Sequence, residues 1–195
     1  MNKIIREATK QDSDIIAKVV LLAIGVDIER LSEHTSPFNY ELVKALAERE
    51  DSQYSYKNCY VCEVDGKVAG AICSYDGARL YELREALFQE LEKRGTQLGK
   101  KITDECESGE LYIDSLAVFK EFRGCGIAKA LIAKVEEKSR ELNISILGLL
   151  VDNENPNAKK LYTSLGFTSV NIREFLGMPM THMQKEVLFY DDKLN

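Results

Sequence analysis

The chain has 195 residues, of which 45% are hydrophobic and 30% are charged, a balance typical of a folded globular domain rather than of a disordered chain. Its net charge of −6 opposes nonspecific attraction to nucleic acid or to an anionic membrane. No apolar run reaches the ~20 residues of a membrane span, and the first residues lack the pattern of a secretory signal. We therefore expect a single cytoplasmic domain, residues 1–195, that binds neither nucleic acid nor membrane.

Five cysteines, an odd number, fit a reducing compartment better than a disulfide framework. Cys59 and Cys62 have the spacing of a zinc or redox pair, but they lie in a strand-like run. Side chains three residues apart on a strand face opposite ways. We expect buried thiols there, and we expect no metal site.

The first half of the chain predicts two helices and three strands. Thr9 and Asp12 resemble a helix N-cap with an acidic first turn, and Asp65-Gly66 is a pair that tolerates the positive φ values of a two-residue hairpin turn. The predicted elements are, in order, strand 3–7, helix 15–24, helix 40–49, strand 60–64 and strand 67–75.

Residues 76–109 form a segment rich in Leu, Glu, Lys and Arg between the third and fourth predicted strands. The spacing of Leu80, Leu83, Leu87 and Leu91 predicts a helix with one apolar stripe, followed by a flexible tail. Two interpretations stay open for this insertion: a packed surface helix, or a lid that shapes a binding pocket.

The second half alternates strands and helices, and the whole order predicts an α/β fold, a mixed sheet with helices on both faces. Residues 173–179 are the most loop-like piece and either connect two strands or line a pocket. The predicted elements are strand 110–118, helix 126–142, strand 144–151, helix 156–165, strand 167–173 and a last strand near 181–190.

The junction between strand 110–118 and the next helix carries a basic, glycine-rich turn, Arg123-Gly124-Cys125-Gly126. The predicted buried face of that helix is Ala128, Leu131, Ile132, Val135, Ser139 and Leu142. A helix that begins near Gly126 leaves its first N–H groups free, and the two glycines let main-chain amides converge on an anion. The alternative is a tight strand-to-helix turn with no ligand.

Arg123, Gly126 and Ala128 match the pattern Gln/Arg-x-x-Gly-x-Gly/Ala. A second stretch, from Asn155 through Ala158 and Tyr162 to Phe167, matches Asn-x-x-Ala-x-x-Leu-Tyr-x-x-x-Gly-Phe. Together these motifs resemble those of the GNAT superfamily of acyl-CoA-dependent N-acyltransferases. The resemblance implies a mixed, largely antiparallel central sheet that splays between its fourth and fifth strands, with acyl-CoA entering the splay.

The resemblance also implies which residues bind acetyl-CoA, the expected cosubstrate. Main-chain amides on the fourth strand would hold the pantetheine arm and the thioester, and the glycine turn would hold the pyrophosphate. The cofactor-binding candidates are Leu116, Ala117, Val118, Arg123, Gly124, Cys125, Gly126, Ile127, Ala128, Asn155, Ala158 and Tyr162.

Tyr162 falls where the family commonly places a tyrosine that protonates the leaving sulfur, although the ring could instead pack in the core. For the general base, strand alternation puts Glu110, Tyr112, Asp114, Leu116 and Val118 on one face. The catalytic candidates are Asp114, which is nearer to the splay, and Glu110. The alternatives are a carboxylate that binds a cationic substrate, a structural partner, or a water relay without a dedicated base.

The expected function is transfer of an acetyl group from acetyl-CoA to a primary amine of a small molecule or peptide, by direct attack in a ternary complex. One alternative is a non-catalytic acyl-CoA-binding sensor or partner module, and another is a protein lysine or N-terminal acetyltransferase. The acceptor, the acyl chain preference and the oligomeric state stay open, with a homodimer among the alternatives.

Overall fold

A seven-stranded sheet is the centre of the computed structural model, which describes residues 2–25, 37–96, 102–175 and 177–189. The strands are β1 (Lys3–Glu7), β2 (Cys59–Val64), β3 (Lys67–Asp76), β4 (Glu110–Val118), β5 (Ile146–Asp152), β6 (Thr168–Phe175) and β7 (Met178–Glu186). Their order is β1-β2-β3-β4-β5-β7-β6, and β4–β5 is parallel whereas the other neighbouring pairs are antiparallel.

Helices cover both faces of this sheet, namely α1 (Ser13–Ala23), α2 (Pro37–Ala47), α3 (Leu80–Lys93), α4 (Ile127–Glu141) and α5 (Pro156–Ser164). Ile16 of α1 and Val43 of α2 share a buried cluster with Val61 of the sheet. On the opposite face, Leu131 of α4 shares a second cluster with Leu111. The predicted mixed, largely antiparallel α/β fold is confirmed.

Local turn signals are also confirmed. Asp65 and Gly66 adopt φ values of +49° and +79°, and they join β2 to β3 as an antiparallel hairpin. Thr9 and Asp12 form a capping box, in which the Thr9 amide and the Thr9 hydroxyl both donate to Oδ2 of Asp12, at 2.7 Å and 2.9 Å. Gly166 has a φ of +92° just after α5, the left-handed conformation that commonly ends a helix.

Helix α4 buries most of its predicted face, and each fully buried Leu, Ile or Val side chain stabilises the fold by about 1.5–3 kcal/mol. Two of the predicted positions differ. Ile127 is buried in place of Ala128, and Leu142 is 50% exposed because it lies one residue beyond the helix, at its C-cap. The confirmed positions are Leu131, Ile132, Val135 and Ser139.

Strand β4 contains a bulge at Asp114. On β3, Cys73 pairs with Ser115 and Ser74 pairs with Ile113, so the register skips Asp114. On the other side of β4, pairing with β5 runs from Glu110 to Ile113 and stops there. The sheet therefore splays between β4 and β5 at the residue where β4 is bulged.

The bulge corrects the predicted alternation along β4. Tyr112 packs in a cluster with Leu80 and Leu83, but Leu116 and Val118 pack on the opposite face, in the cluster that contains α4. An extra residue in one strand shifts every later side chain to the other face. The prediction that Leu116 and Val118 share a face with Tyr112 was wrong for this reason.

The C-terminal strands form a hairpin that the sequence did not predict. Strand β6 reaches Phe175, and β7 begins at Met178, so most of the segment 173–179 is strand rather than loop. Gly177 has a φ of +83°, which suits a tight turn. The last strand was predicted near 181–190, but β7 ends at Glu186, and Tyr190 lies outside the described residues.

The insertion is a packed element. In α3, Leu83 and Leu91 are buried, and Leu91 lies in a cluster with Leu46 of α2. Residues 97–101 of the predicted flexible tail lie outside the described residues. The described part of the tail packs under α3, because Cys106 is 3% exposed and joins the cluster of Tyr112.

The predicted strand thiols are buried. Cys59 and Cys62 lie in the clusters on opposite faces of the sheet, as expected for residues three apart on a strand. Across the described ranges, no group of His, Cys, Asp and Glu side chains has an arrangement that could hold a metal ion. Nor is any helix in those ranges both long and apolar enough to cross a bilayer.

Candidate active site

Two adjoining cavities open where β4 and β5 splay. The Arg123 cavity has a volume of about 230 Å³ and is lined by Leu22, Leu116, Ala117, Val118, Arg123, Ala128, Ala158, Leu161 and Tyr162. The Asp114 cavity, about 140 Å³, is lined by Leu22, Ala23, Ile113, Asp114, Leu116, Leu149, Leu150, Val151, Asp152, Asn155, Ala158, Tyr162 and Met180. The residues common to both are Leu22, Leu116, Ala158 and Tyr162.

The glycine turn borders the Arg123 cavity and is open on its outer side. Gly124 and Gly126 have φ values of +77° and +73°, and a Cβ built on either would meet nothing within 4 Å. The turn is braced by Arg123, whose Nε donates to the Val118 carbonyl at 3.1 Å, and by Lys3, whose Nζ donates to the Cys125 carbonyl at 2.9 Å. Main-chain amides are thus held in a fixed loop with free space in front of them.

Helix α4 begins in this loop, with Gly126 as its N-cap. The Ala130 amide donates to the Gly126 carbonyl at 3.1 Å, which is the first bond of the helical ladder. The four preceding amides therefore have no intrahelical acceptor, and the helix dipole adds partial positive charge at this end. Together with Arg123 these groups, which include the amides of the predicted positions Ile127 and Ala128, could hold an anion such as a diphosphate.

The edge of β4 beyond the bulge supplies a second set of amides. The Phe119 amide donates to the Ala69 carbonyl of β3 at 2.9 Å. Successive main-chain amides of a strand point to opposite sides, so the amides of Val118 and Leu116 point away from β3, towards the side from which β5 has separated. Ala117 has the parity of Phe119, so its amide faces β3, although the residue also lines the Arg123 cavity.

Asp114 is half-buried and lines the Asp114 cavity. Its Oδ1 accepts a hydrogen bond from the Ser115 hydroxyl at 2.6 Å. Burial, opposed by the hydrogen bond from Ser115 and assisted by the charge of Glu105, raises the pKa of Asp114 to about 7. A carboxylate with this pKa accepts and releases a proton near neutrality.

Glu105, which the sequence did not indicate, comes from the described tail of the insertion and is 3% exposed. Its Oε1 accepts from the Tyr75 hydroxyl at 3.0 Å and from Gln53 Nε2 at 2.6 Å, and its Oε2 accepts from Arg84 of α3. A buried carboxylate needs such partners. The insertion therefore places a held negative charge behind Asp114.

Tyr162 lies on α5 and lines both cavities. Its ring packs edge-to-face on Phe167, with the centroids 5.8 Å apart. Burial raises the pKa of Tyr162 to about 12, so the phenol keeps its proton at neutral pH and can donate it. The ring therefore packs in the core and lines both cavities, and its role as a proton donor stays a prediction.

Asn155 caps α5, because its Oδ1 accepts from the Ala158 amide at 3.0 Å, and both residues also line the Asp114 cavity. Glu110, unlike Asp114, lines neither cavity, and it lies at the start of β4. Its carboxylate is 1% exposed and bonds Gln184 Nε2 at 2.8 Å and His182 Nε2 at 3.1 Å. The structure thus brings Asp114, but not the candidate Glu110, to the splay.

The two cavities differ in charge. Among their described lining residues, the basic side chain of the first is Arg123, and the acidic side chains of the second are Asp114 and Asp152. Asp152, at the end of β5, was not predicted, although it stands three residues before the motif that begins at Asn155. An anionic ligand suits the first cavity, and a cationic one suits the second.

Comparisons with known proteins agree with this geometry. The model of the acetyltransferase (GNAT) family matches residues 28–167. A crystal structure described only as an acetyltransferase is 32% identical, has a TM-score of 0.75, and covers 95% of this chain and 100% of that one. An N-acetyltransferase from Staphylococcus aureus Mu50 is 27% identical, with a TM-score of 0.77 and coverage of 93% and 99%. The Arabidopsis thaliana protein GCN5-related N-acetyltransferase 4, chloroplastic, is 35% identical over 82 residues, which are 42% of this chain but 28% of that protein. This chain belongs to the GNAT family of acetyltransferases.

Proposed function

We propose that the protein transfers an acetyl group from acetyl-CoA to a primary amine in a ternary complex. The observation that carries the proposal is the position of Asp114, which is both the bulged residue of β4 and the first residue beyond its pairing with β5. One half-buried carboxylate thereby lines an acidic cavity that adjoins the basic one at Leu116 and Tyr162.

The chain's own groups suffice to hold such a coenzyme. Arg123 and the first amides of α4 would bind its diphosphate. The amides of Leu116 and Val118 would bind the pantetheine arm and the thioester oxygen, as donors aimed at the charge that develops there. When bound, the coenzyme supplies the activated acetyl group.

Three proton transfers accompany the reaction. Asp114 accepts a proton from the incoming ammonium group, directly or through water, so that the amine nitrogen can attack the carbonyl carbon. The C–N bond forms as the C–S bond breaks, and Tyr162 donates its phenolic proton to the departing sulfur. The second proton that the nitrogen loses on becoming an amide returns the Tyr162 phenolate to its neutral form, and Asp114 releases its proton to solvent. The pKa values of about 7 for Asp114 and about 12 for Tyr162 match an acceptor and a donor, respectively.

The acceptor we propose is a protonated primary amine on a small molecule or a peptide. Asp114 and Asp152 give its cavity a negative potential, and Leu150 and Met180 offer apolar contact to a carbon chain. A cavity of about 140 Å³ accommodates an amine with a short alkyl chain, including a lysine side chain.

The experiment follows thiol release from acetyl-CoA with a panel of small amines, diamines, amino sugars and peptides. Each amine is paired with the alcohol of the same carbon skeleton as a matched control. We expect turnover with at least one amine and none with its alcohol. Tight CoA binding by calorimetry without turnover for any acceptor would instead identify a non-catalytic acyl-CoA-binding protein.

A further inference from the structure

A half-buried lysine on α4 contacts the sheet beside the bulge. The Nζ of Lys138 donates to the main-chain carbonyl of Ser74 at 2.9 Å and lies 3.4 Å from the Ser74 hydroxyl. Burial lowers the pKa of Lys138, the sign of an ammonium group that has lost much of its water. A lysine ammonium group is rarely removed from water unless its donors are used.

Ser74 marks the place where two strand pairings change. It lies one residue beyond the last pair between β2 and β3, which is Cys59 with Cys73. On the β4 side, the register shifts between Cys73 and Ser74, and this shift leaves Asp114 as the extra residue. The Ser74 carbonyl is therefore next to the bulge, and Lys138 is the group that satisfies it.

We propose that Lys138 is a positioning residue that fixes the β3–β4 bulge and so directs the carboxylate of Asp114 into the splay. The inference rests on the proposed function for its catalytic consequence, but not for its structural content. Lys138 acts through the backbone of β3, because its Nζ bonds Ser74 while the buried side chains of its helix pack against Leu111 and Ile113 of β4.

This arrangement links two parts of the site through one rigid element. Helix α4 begins at the glycine turn beside Gly126, and Lys138 lies 12 residues further on, or about 18 Å along the helix axis. The helix that presents its amides to a diphosphate thus also holds the strand that carries the base.

The ionisable groups around both residues must be considered for any titration. Those that act on or near Asp114 are Glu105 from the insertion, the phenols of Tyr54, Tyr75 and Tyr112, and the thiols of Cys73 and Cys106. Those around Lys138 are Tyr60, whose ring centroid is 5.9 Å away, Cys59, Cys73, Glu7 and Glu141.

The variant Lys138→Met removes the donors and keeps the length of the side chain. Its control is Lys134→Met, one turn earlier, since Lys134 also lies over the Tyr60 ring, at 5.7 Å, but bonds Glu137 instead of the sheet. The rescue variant Lys138→Arg keeps a cationic donor at the same position.

The first readout is the titration of the Asp114 carboxyl carbon by NMR in the absence of acceptor. In Lys138→Met we expect the pKa to fall towards the ordinary value by about one pH unit or more, because a relaxed bulge gives the carboxylate more water. Lys134→Met should leave it unchanged, and Lys138→Arg should restore most of it. An unchanged pKa in Lys138→Met overturns the proposal, and a raised one overturns it as well, because loss of a cation acting through space has that sign.

The second readout is turnover counted per CoA-binding site, so that unfolded molecules do not contribute. We expect kcat to fall about 10- to 100-fold in Lys138→Met, because a displacement of the Asp114 carboxylate by up to about 1 Å misaligns it with the reacting amine. The KM for acetyl-CoA should stay within about twofold. Equal losses in both methionine variants overturn the positioning role. If the wild-type protein shows no turnover with any amine, the proposed function fails, while the NMR result still decides the role of Lys138.

Discussion

Replacing Asp114 by Asn is expected to stabilise the fold and to remove activity. The raised pKa of Asp114 means that the folded state disfavours the charged carboxylate, chiefly through burial. A folded-state pKa above the unfolded one contributes stability that is fully present below the unfolded pKa and is lost as the pH rises through the folded pKa. Asparagine has no charge to bury, and its side-chain oxygen can still accept from the Ser115 hydroxyl.

The magnitude follows from the two pKa values. The interval from the ordinary 3.8 to about 7 corresponds, at about 1.4 kcal/mol per pH unit, to a ceiling of about 4 kcal/mol. Asp114 retains partial contact with solvent, which reduces the expected gain to about 2 kcal/mol. The gain should be absent near pH 4 and complete above pH 8.

The assay is urea denaturation of the two proteins from pH 4 to pH 8.5, with Glu92→Gln as the control, because Glu92 is an exposed carboxylate on α3. The difference in unfolding free energy between Asp114→Asn and wild type should grow with pH, while that of the control stays flat. A difference that is constant with pH, or that shrinks as the pH rises, would refute the assignment of a raised pKa to Asp114.

Three further outcomes are expected. In the wild type, kcat/KM should rise with pH to a plateau with a midpoint near 7, because Asp114 must be ionised to act as the base; a profile flat through that range contradicts the role. Tyr162→Phe should lower kcat by about 10²- to 10⁴-fold and leave CoA affinity within about twofold, with the exposed Tyr81→Phe as control. Gly126→Ala should weaken CoA binding about tenfold or more. Its control is Gly95→Ala, because Gly95 has a similar φ of +66° and equally open surroundings, so the substitution should cost the same strain of about 1 kcal/mol and leave CoA binding normal. Equal CoA affinities of the two variants would show that the glycine turn is not part of the site.

The elements that sequence reasoning located are those whose cause is local. Asp65-Gly66 forms its hairpin because two adjacent residues supply the positive φ values. The glycine turn precedes a helix that starts at Ile127, one residue from the predicted boundary. Tyr162 and Asn155 reach the splay because both belong to one short motif on one helix.

Candidates on β4 show where a local pattern fails. Asp114 and Glu110 are equivalent on an ideal strand, and strict alternation places Leu116 with them. The bulge separates these residues, because it depends on how β3 pairs with β4 across more than thirty residues of intervening chain. Glu110 is instead held by His182 and Gln184, which approach from the far end of the chain.

The amino-acid sequence alone determined the family-like motifs, the glycine turn before α4 and the alternation of strands and helices, since these follow from backbone preferences and side-chain periodicity over a few residues. Only the tertiary structure decided which carboxylate faces the splay, how Glu105 supports the raised pKa of Asp114 and which carbonyl the Lys138 ammonium group bonds. Those outcomes depend on strand register and on burial, and a shift of register by one residue reverses the faces of a strand without altering any local pattern.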